Sequence, residues 1–295
     1  MALSVRELHP GFAAEVLDLA LAQPLPDATV AELQDAMDRH GVLVFRGQHL
    51  DDHSQIAFAR RFGPPERYVL SYRPGIKLRL GQPEMVDVSN LDATTGQPQD
   101  RNARHRMVNL GNRLWHTDSS FKQVRGALSM LYAHAVPPEG GETEFGDCRT
   151  AYDRLPASVK QQIEGLEAEH SLMHSRATLG FTDFSPEERA ALPPAVHKLV
   201  SVNPRTGRKS VYVASHASHV LGMPIAEGRL LIADLIEAAT RPDLVYRHAW
   251  RVGDLVVWDN RRTLHRGMPF DESYPRDLRR VTTSDVAFPW VTSPT

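Results

Sequence analysis

The chain of 295 residues carries 34 basic and 36 acidic side chains, a formal net charge of −2. That balance creates no field to gather nucleic acid or an anionic membrane. Its single cysteine, Cys148, excludes an internal disulfide and a cysteine zinc site, so any metal must be held by histidine and carboxylate.

The opening "MALSVRELHPGFAAEVLDLALAQPLP" lacks the basic start, unbroken apolar core and small-residue cleavage site of a secretory signal. No apolar run approaches the 18 or so residues of a membrane span. A cytoplasmic protein, assembled as a homo-oligomer, is the expectation. In chain order, "TVAELQDAMDRHG" (29–41) predicts a helix: Val30, Leu33 and Met37 keep the 3–4 spacing and Gly41 supplies the stop. "VLVFRG" (42–47) predicts a buried strand, and "DDHSQIAFARRFG" (51–63) a second helix with Asp51 or Asp52 as cap. "MVDVSN" (85–90) predicts a strand. The polar stretch 91–113 that follows has the length of a functional lid or a floppy surface loop.

Beyond it, "ALSMLYAHAV" (127–136) and the end of "PPEGGETEF" (137–145) predict strands. "RTAYDRLPASVKQQIEGL" (149–166) predicts a helical pair broken at Pro156, and "EAEHSLMHS" (167–175) an extended segment. "VHKLVSVNPRTGRKSVYVA" (196–214) predicts two strands joined by a turn. Residues 223–240 form the clearest helical pattern, with Leu231, Leu235 and Ile236 on one face. A strand, a turn at Gly253 and a second strand are expected over 245–267, and a last strand over 279–287. Short strands with few helices between them argue against a doubly wound parallel sheet and for a sandwich or barrel.

Within "LWHTDSSF" (114–121), His116 and Asp118 stand two apart. On a strand such a pair shares a face; on a helix it would diverge by about 200°. One imidazole and one carboxylate make two thirds of the 2-His-1-carboxylate set that holds non-heme Fe(II) with open positions. The bare pattern is weak, because "HLD" at 49–51 repeats it. His265, in "DLVVWDNRRTLHRG", offers the third ligand, and Arg276 and Arg280 follow in "PRDLRRVTT".

Taken with "LVFRGQ", "QIAFARRFGP", "VPPEGGETEF", "AYDRLP", "HASHVLGMPIAEGR" and "YRHAWRVGDLVVWDN", these segments make the chain resemble a known family almost end to end. It is the family of Fe(II)/2-oxoglutarate-dependent dioxygenases of the taurine dioxygenase type, and within it the branch that cleaves phenoxyacetate ethers. The resemblance implies a mainly β fold with peripheral helices, a double-stranded β-helix (jelly roll), as one domain over 1–295 with 91–113 as active-site lid. It implies that His116, Asp118 and His265 hold the metal. Thr143 and Arg276 would bind the far carboxylate of 2-oxoglutarate. Arg280 would meet the acid group of the substrate, and His216 would line its pocket. A second basic anchor is expected among Arg67, Arg73, Lys77 and Arg79. With Fe(II), 2-oxoglutarate and O2, an aryloxyalkanoate such as 2,4-dichlorophenoxyacetate would give a phenol, glyoxylate, succinate and CO2.

The residue types suit those roles. Three protein ligands leave three positions on an octahedral iron, two for a chelating 2-oxo acid and one for O2. An arginine gives a carboxylate a planar bidentate partner, and a threonine hydroxyl adds a donor. Plainer alternatives stand beside each. Asp118 would cap a turn, Thr143 would be an ordinary strand residue, Arg276 and Arg280 would be surface charges, and His216 a hydrogen-bonded core histidine. Arg279, on the opposite face of the same strand, is the expected surface charge; Trp115 and Trp258 are expected to pack around the ligands. Two rival functions remain: the same chemistry on a sulfonate, sulfate ester or other small acid, and a jelly-roll module that binds metal without catalysis.

Overall fold

The computed structural model describes residues 3–67 and 79–287. Its main sheet has seven strands. In spatial order these are β1 (Val5–His9), β2 (Ala13–Val16), β3 (Val42–Phe45), β13 (Leu255–Asp259), β5 (Gly126–Ala135), β15 (Asp277–Ser284) and β4 (Met85–Asp87). Among the described strand pairs only β2 and β3 run parallel. A three-stranded sheet of β12 (Val245–His248), β6 (Thr143–Asp147) and β14 (Thr263–Gly267) packs over one face of it.

Alternation along the central strands sorts side chains between two layers. Leu128 and Met130 of β5, Leu255 and Val257 of β13 and Val281 of β15 join one core. That core is closed by α1 (Asp27–His40) and α2 (Asp52–Arg60), through residues such as Leu33, Met37, Ile56 and Phe58. Their neighbours, Leu131, Val256, Trp258 and Leu278, face the other way and meet Phe145 and Tyr246 of the small sheet. The polar residues of the site lie in this second layer, between the two sheets. Asp51 caps α2 with a reciprocal pair: its carboxylate accepts from the Ser54 N–H at 2.7 Å, and its own N–H donates to the Ser54 hydroxyl at 2.9 Å.

Behind the small sheet lie α4 (Cys148–Arg154), α5 (Ala157–Ile163) and α8 (Ile225–Ala239). They share a third core with β9 (Val200–Val202), β10 (Lys209–Val211) and β11 (Ala217–Val220). β11 also pairs with β7 (Glu167–His170), which pairs with β8 (Ala195–Lys198). Helices and strands thus contribute in comparable measure, so the chain is a mixed-sheet fold with outer helices and only roughly mainly β. Among the described residues no helix is long and apolar enough to cross a membrane.

Several local expectations need correction. Residues 167–175 are not extended throughout: β7 ends at His170, and Ser171 caps α6 (Leu172–Ala177) by accepting from the His174 N–H at 3.3 Å. Residues 196–214 lie in three strands, because β8 pairs with β7 while only β9 and β10 form the hairpin. The "SPEERAA" stretch is a capped helix, α7 (Pro186–Ala191). The polar 91–113 segment ends in α3 (Arg104–Asn109) and a 3-10 turn, Leu110–Arg113. It is tied down there: Glu272 accepts from both Arg106 and Arg113, and Glu188 accepts from Arg104 at 3.0 Å.

Candidate active site

The "LWHTDSSF" segment is not a strand. It makes one antiparallel bridge, in which His116 and His265 exchange both backbone hydrogen bonds, at 3.0 and 2.8 Å. That exchange closes the long sequence gap between the two histidines and sets their rings 4.1 Å apart. After the bridge the chain turns sharply, with Ser119 at a φ of 59°, and Asp118 points back between the rings. Its oxygens lie 3.9 Å from His116 Nε2 and 3.6 Å from His265 Nε2. One ligand atom from each of the three falls within 4.8 Å of the others, and all three residues are buried.

The donor chemistry fits a metal. His116 Nδ1 lies 2.8 Å from the Leu114 carbonyl, which can only accept. Nδ1 therefore carries the proton, and Nε2 offers its lone pair toward Asp118 and His265. Burial pushes the His116 imidazole down to about 4 and His265 well below its usual range, so both stay neutral near pH 7. Burial alone would raise the Asp118 carboxyl. The Arg280 guanidinium leads the influences that outweigh it and hold the carboxyl below its ordinary value. Two neutral imidazoles and one carboxylate, open on one side to a cavity, have the donor set that suits a facial divalent-metal site.

Asp118 is locked from behind by Arg280 and by two residues, Ser129 and Asn260, that the sequence reading did not single out. Ser129 on β5 donates to Asp118 Oδ2 at 2.7 Å, and Arg280 on β15 donates to Oδ1 at 2.5 Å. Asn260, just after β13, accepts from the Asp118 N–H at 3.1 Å and from Trp258 Nε1 at 2.9 Å. Its amide donates to the Ser129 hydroxyl at 2.8 Å. Trp258 packs its indole 4.7 Å from the His265 ring. The polar serine inside the apolar run "ALSML" and the asparagine of "WDN" were the available signals.

Two cavities meet at His116. The first is lined by His116, His265, Thr143, Trp258 and Arg276. Arg276 is only 9% exposed, yet among the described residues its guanidinium hydrogen-bonds only carbonyls: Gly141 at 3.1 Å and Val88 at 3.4 Å. Among the described residues no carboxylate pairs with it. Burial beside Arg113 pushes it down to about 10. Gly140 and Gly141, both at positive φ, make the tight turn that puts the Gly141 carbonyl there and leads into β6. Thr143 opens β6, and its hydroxyl oxygen accepts from Trp250 Nε1 at 3.0 Å, leaving its own proton free to be donated. A three-ligand metal face beside a buried cation without an acid partner suits a chelating acid with a second carboxylate.

The second cavity lies on the Asp118 side and is lined by Asp118, Arg280, His216, Arg176, Phe121 and Leu172, among others. His216 is buried, held at Nδ1 by Ser175 at 2.9 Å, and stands edge-on to His116 and Phe121. Of the four basic candidates, Arg67 lines this cavity, while Arg73 and Lys77 lie outside the described residues. Arg79 is committed elsewhere, bonded to Asp87 and Asp277 at 2.6–2.9 Å. Arg279 turns away to Asp52 and Asp277, as its position on β15 predicts.

The family model described as "Taurine catabolism dioxygenase TauD, TfdA family" matches residues 4–282. The chain belongs to the TauD/TfdA dioxygenase family. Within this family it is 48% identical to the alpha-ketoglutarate-dependent 2,4-dichlorophenoxyacetate dioxygenase of Cupriavidus pinatubonensis, covering 97% of this chain and 99% of that one. It is 36% identical to the (S)-phenoxypropionate/alpha-ketoglutarate-dioxygenase of Sphingobium herbicidovorans, over 93% and 92%. The crystal structure of AAD-2 in complex with Mn(II) and N-oxalylglycine superposes with a TM-score of 0.91 at 44% identity, covering 96% of this chain and 98% of that one. N-oxalylglycine has the skeleton of 2-oxoglutarate with NH in place of one CH2.

Proposed function

We propose that this TauD/TfdA dioxygenase cleaves the ether of aryloxyalkanoates such as 2,4-dichlorophenoxyacetate, with Fe(II), 2-oxoglutarate and O2. The observation that carries the reading is Arg276, a buried guanidinium without an acid partner among the described residues, beside three residues that could hold a metal. A module that only bound metal would have no use for it. The likeness to the 2,4-dichlorophenoxyacetate and phenoxypropionate enzymes supports the substrate class over a sulfonate.

His116, Asp118 and His265 hold the iron in this reading, and the facing sheets form a double-stranded β-helix in one domain over 1–295. When bound, the iron would let O2 oxidise both partners: one oxygen atom would end in succinate as 2-oxoglutarate loses CO2, and the other in a hydroxyl on the carbon next to the ether oxygen. Arg276 and the Thr143 hydroxyl bind the far carboxylate of 2-oxoglutarate and orient it. Ser129 and Asn260 hold Asp118 so that one carboxylate oxygen stays aimed between the imidazoles. Arg280 reaches both Asp118 and the second cavity, so it places an acid group beside the metal site and the adjacent CH2 next to it. His216 lines the ring's side of the pocket, and 91–113 excludes water as a lid. The hydroxylated carbon is a hemiacetal, which collapses to a phenol and glyoxylate.

The test is anaerobic. Fe(II) and 2-oxoglutarate together should give a weak visible charge-transfer band that neither gives alone. Added 2,4-dichlorophenoxyacetate should perturb it, and taurine should not. A protein that binds Fe(II) yet gives no band with 2-oxoglutarate is a metal-binding module, and the reading fails.

A further inference from the structure

We propose that Arg176 is a second guanidinium for the acid group of the substrate, clamping it together with Arg280 across the second cavity. The inference rests on the reading above and extends it to a residue on α6.

Three observations carry it. Arg176 is only 6% exposed and faces the cavity that also holds Arg280 and Asp118. Among the described residues no carboxylate pairs with it. Among the described residues its guanidinium makes one hydrogen bond, from Nη1 to the Ser175 hydroxyl at 3.0 Å, and its buried Nε meets no acceptor. A structural arginine in this same protein looks different. Arg149, also buried at 1% exposed, bonds Asp147 at 2.8 Å and the carbonyls of Arg39 and His40 at 2.9 and 3.0 Å. A buried cation left without a counter-ion is disfavoured unless a ligand supplies one.

The seat for Arg176 is also built. A Cβ added at Gly111 would overlap the guanidinium, so the lid segment passes it with only a hydrogen at that point. Gly111 thus ties the lid to the clamp. Arg280 cannot serve the substrate alone at full strength, since one of its nitrogens is already on Asp118 at 2.5 Å. Two guanidiniums repelling one another across a cavity make a strong site for one carboxylate. Arg176 is held down to about 10, chiefly by burial and then by Arg280, as such a vacant pair requires. Leu172, Leu192, Phe121 and Val108 line the rest of this cavity, which gives the aryl ring apolar contact once its acid group is clamped.

The test uses Arg176→Gln, Arg176→Lys and Gly111→Ala in the Fe(II) enzyme with 2-oxoglutarate. Anaerobic titration of the visible band reads the affinity for 2,4-dichlorophenoxyacetate and for its uncharged amide. Loss of a charged hydrogen bond predicts acid binding weaker by about 10- to 150-fold in Arg176→Gln. Amide binding and the KM for 2-oxoglutarate should stay within about 3-fold, because a neutral bond contributes little. Arg176→Lys should keep part of the acid affinity, and Gly111→Ala should lose it by displacing the guanidinium. The Tm of Arg176→Gln should not fall. Unchanged acid affinity, equal losses for acid and amide, or a marked drop in Tm would each overturn the clamp.

Phenol release by the wild type separates this from the parent reading. If the wild type cleaves no phenoxyacetate, the same titration is run with an alkyl sulfate. Sulfate binding lost in Arg176→Gln then keeps the clamp and discards the ether substrate, whereas binding of neither anion discards both.

Discussion

Replacing Arg276 by methionine should separate affinity from stability. The guanidinium is buried, is bonded among the described residues only to the carbonyls of Gly141 and Val88, and is pushed down to about 10 by burial and Arg113. A cation whose folded value is depressed destabilises the fold at every pH below that value. Here the cost is about 3 kcal/mol near neutrality. Methionine removes that cost and also removes two carbonyl hydrogen bonds from a charged donor, one of them long at 3.4 Å, together about 2–4 kcal/mol. The terms nearly cancel, so the metal-free Tm should hold or rise slightly. Binding of 2-oxoglutarate should suffer by about 1.5–3 kcal/mol, roughly 10- to 150-fold in KM. Succinate release reads the KM, and calorimetry reads the Tm. Arg149→Met is the control. It breaks a buried pair with Asp147, worth about 3–5 kcal/mol, and should lower Tm by several degrees. An unchanged KM with a lowered Tm for Arg276→Met would refute the anion-anchor reasoning.

Other consequences are equally direct. His116→Ala, Asp118→Ala and His265→Ala should each abolish turnover and iron binding while circular dichroism stays native; full activity in any of them removes it from the metal site. Asn260→Leu frees the Asp118 N–H and the Ser129 hydroxyl together, so Fe(II) should bind about 10- to 100-fold more weakly, read by anaerobic titration, while a wild-type affinity would make Asn260 mere packing. His170 is buried with both ring nitrogens unpartnered, and burial, with His197 and Arg125 near, pushes it down to about 3. The unfolded chain therefore takes up this proton first, and stability falls as pH drops below about 6.5, by about 2 kcal/mol at pH 5. His170→Phe should flatten that slope in denaturant melts between pH 7 and 5; an unaltered slope contradicts it.

The three candidate ligands were legible because their residue types and surrounding motifs agree, not because of their local structure. His116 and Asp118 converge through a bridge and a left-handed turn at Ser119, not through a strand, and no propensity at Ser119 announces that turn. Central strands such as β5 and β13 were legible as apolar runs buried on both faces. The short elements β1, β2, β8, α3 and α6 were not, since pairing partners and caps decide them more than composition does. Arg276 was legible by resemblance, but its lack of a counter-ion is a fact of packing. The same holds for Arg176: nothing in "HSRATLG" distinguishes it from a surface arginine, and only the space left by Gly111 shows where it goes.

The central claim is tested most directly by giving the purified chain Fe(II), 2-oxoglutarate and O2 with either 2,4-dichlorophenoxyacetate or taurine. The account predicts 2,4-dichlorophenol, glyoxylate and succinate in equal amounts from the first, and no sulfite from the second. Sulfite from taurine with no phenol from the phenoxyacetate would contradict it and assign the chain to sulfonates.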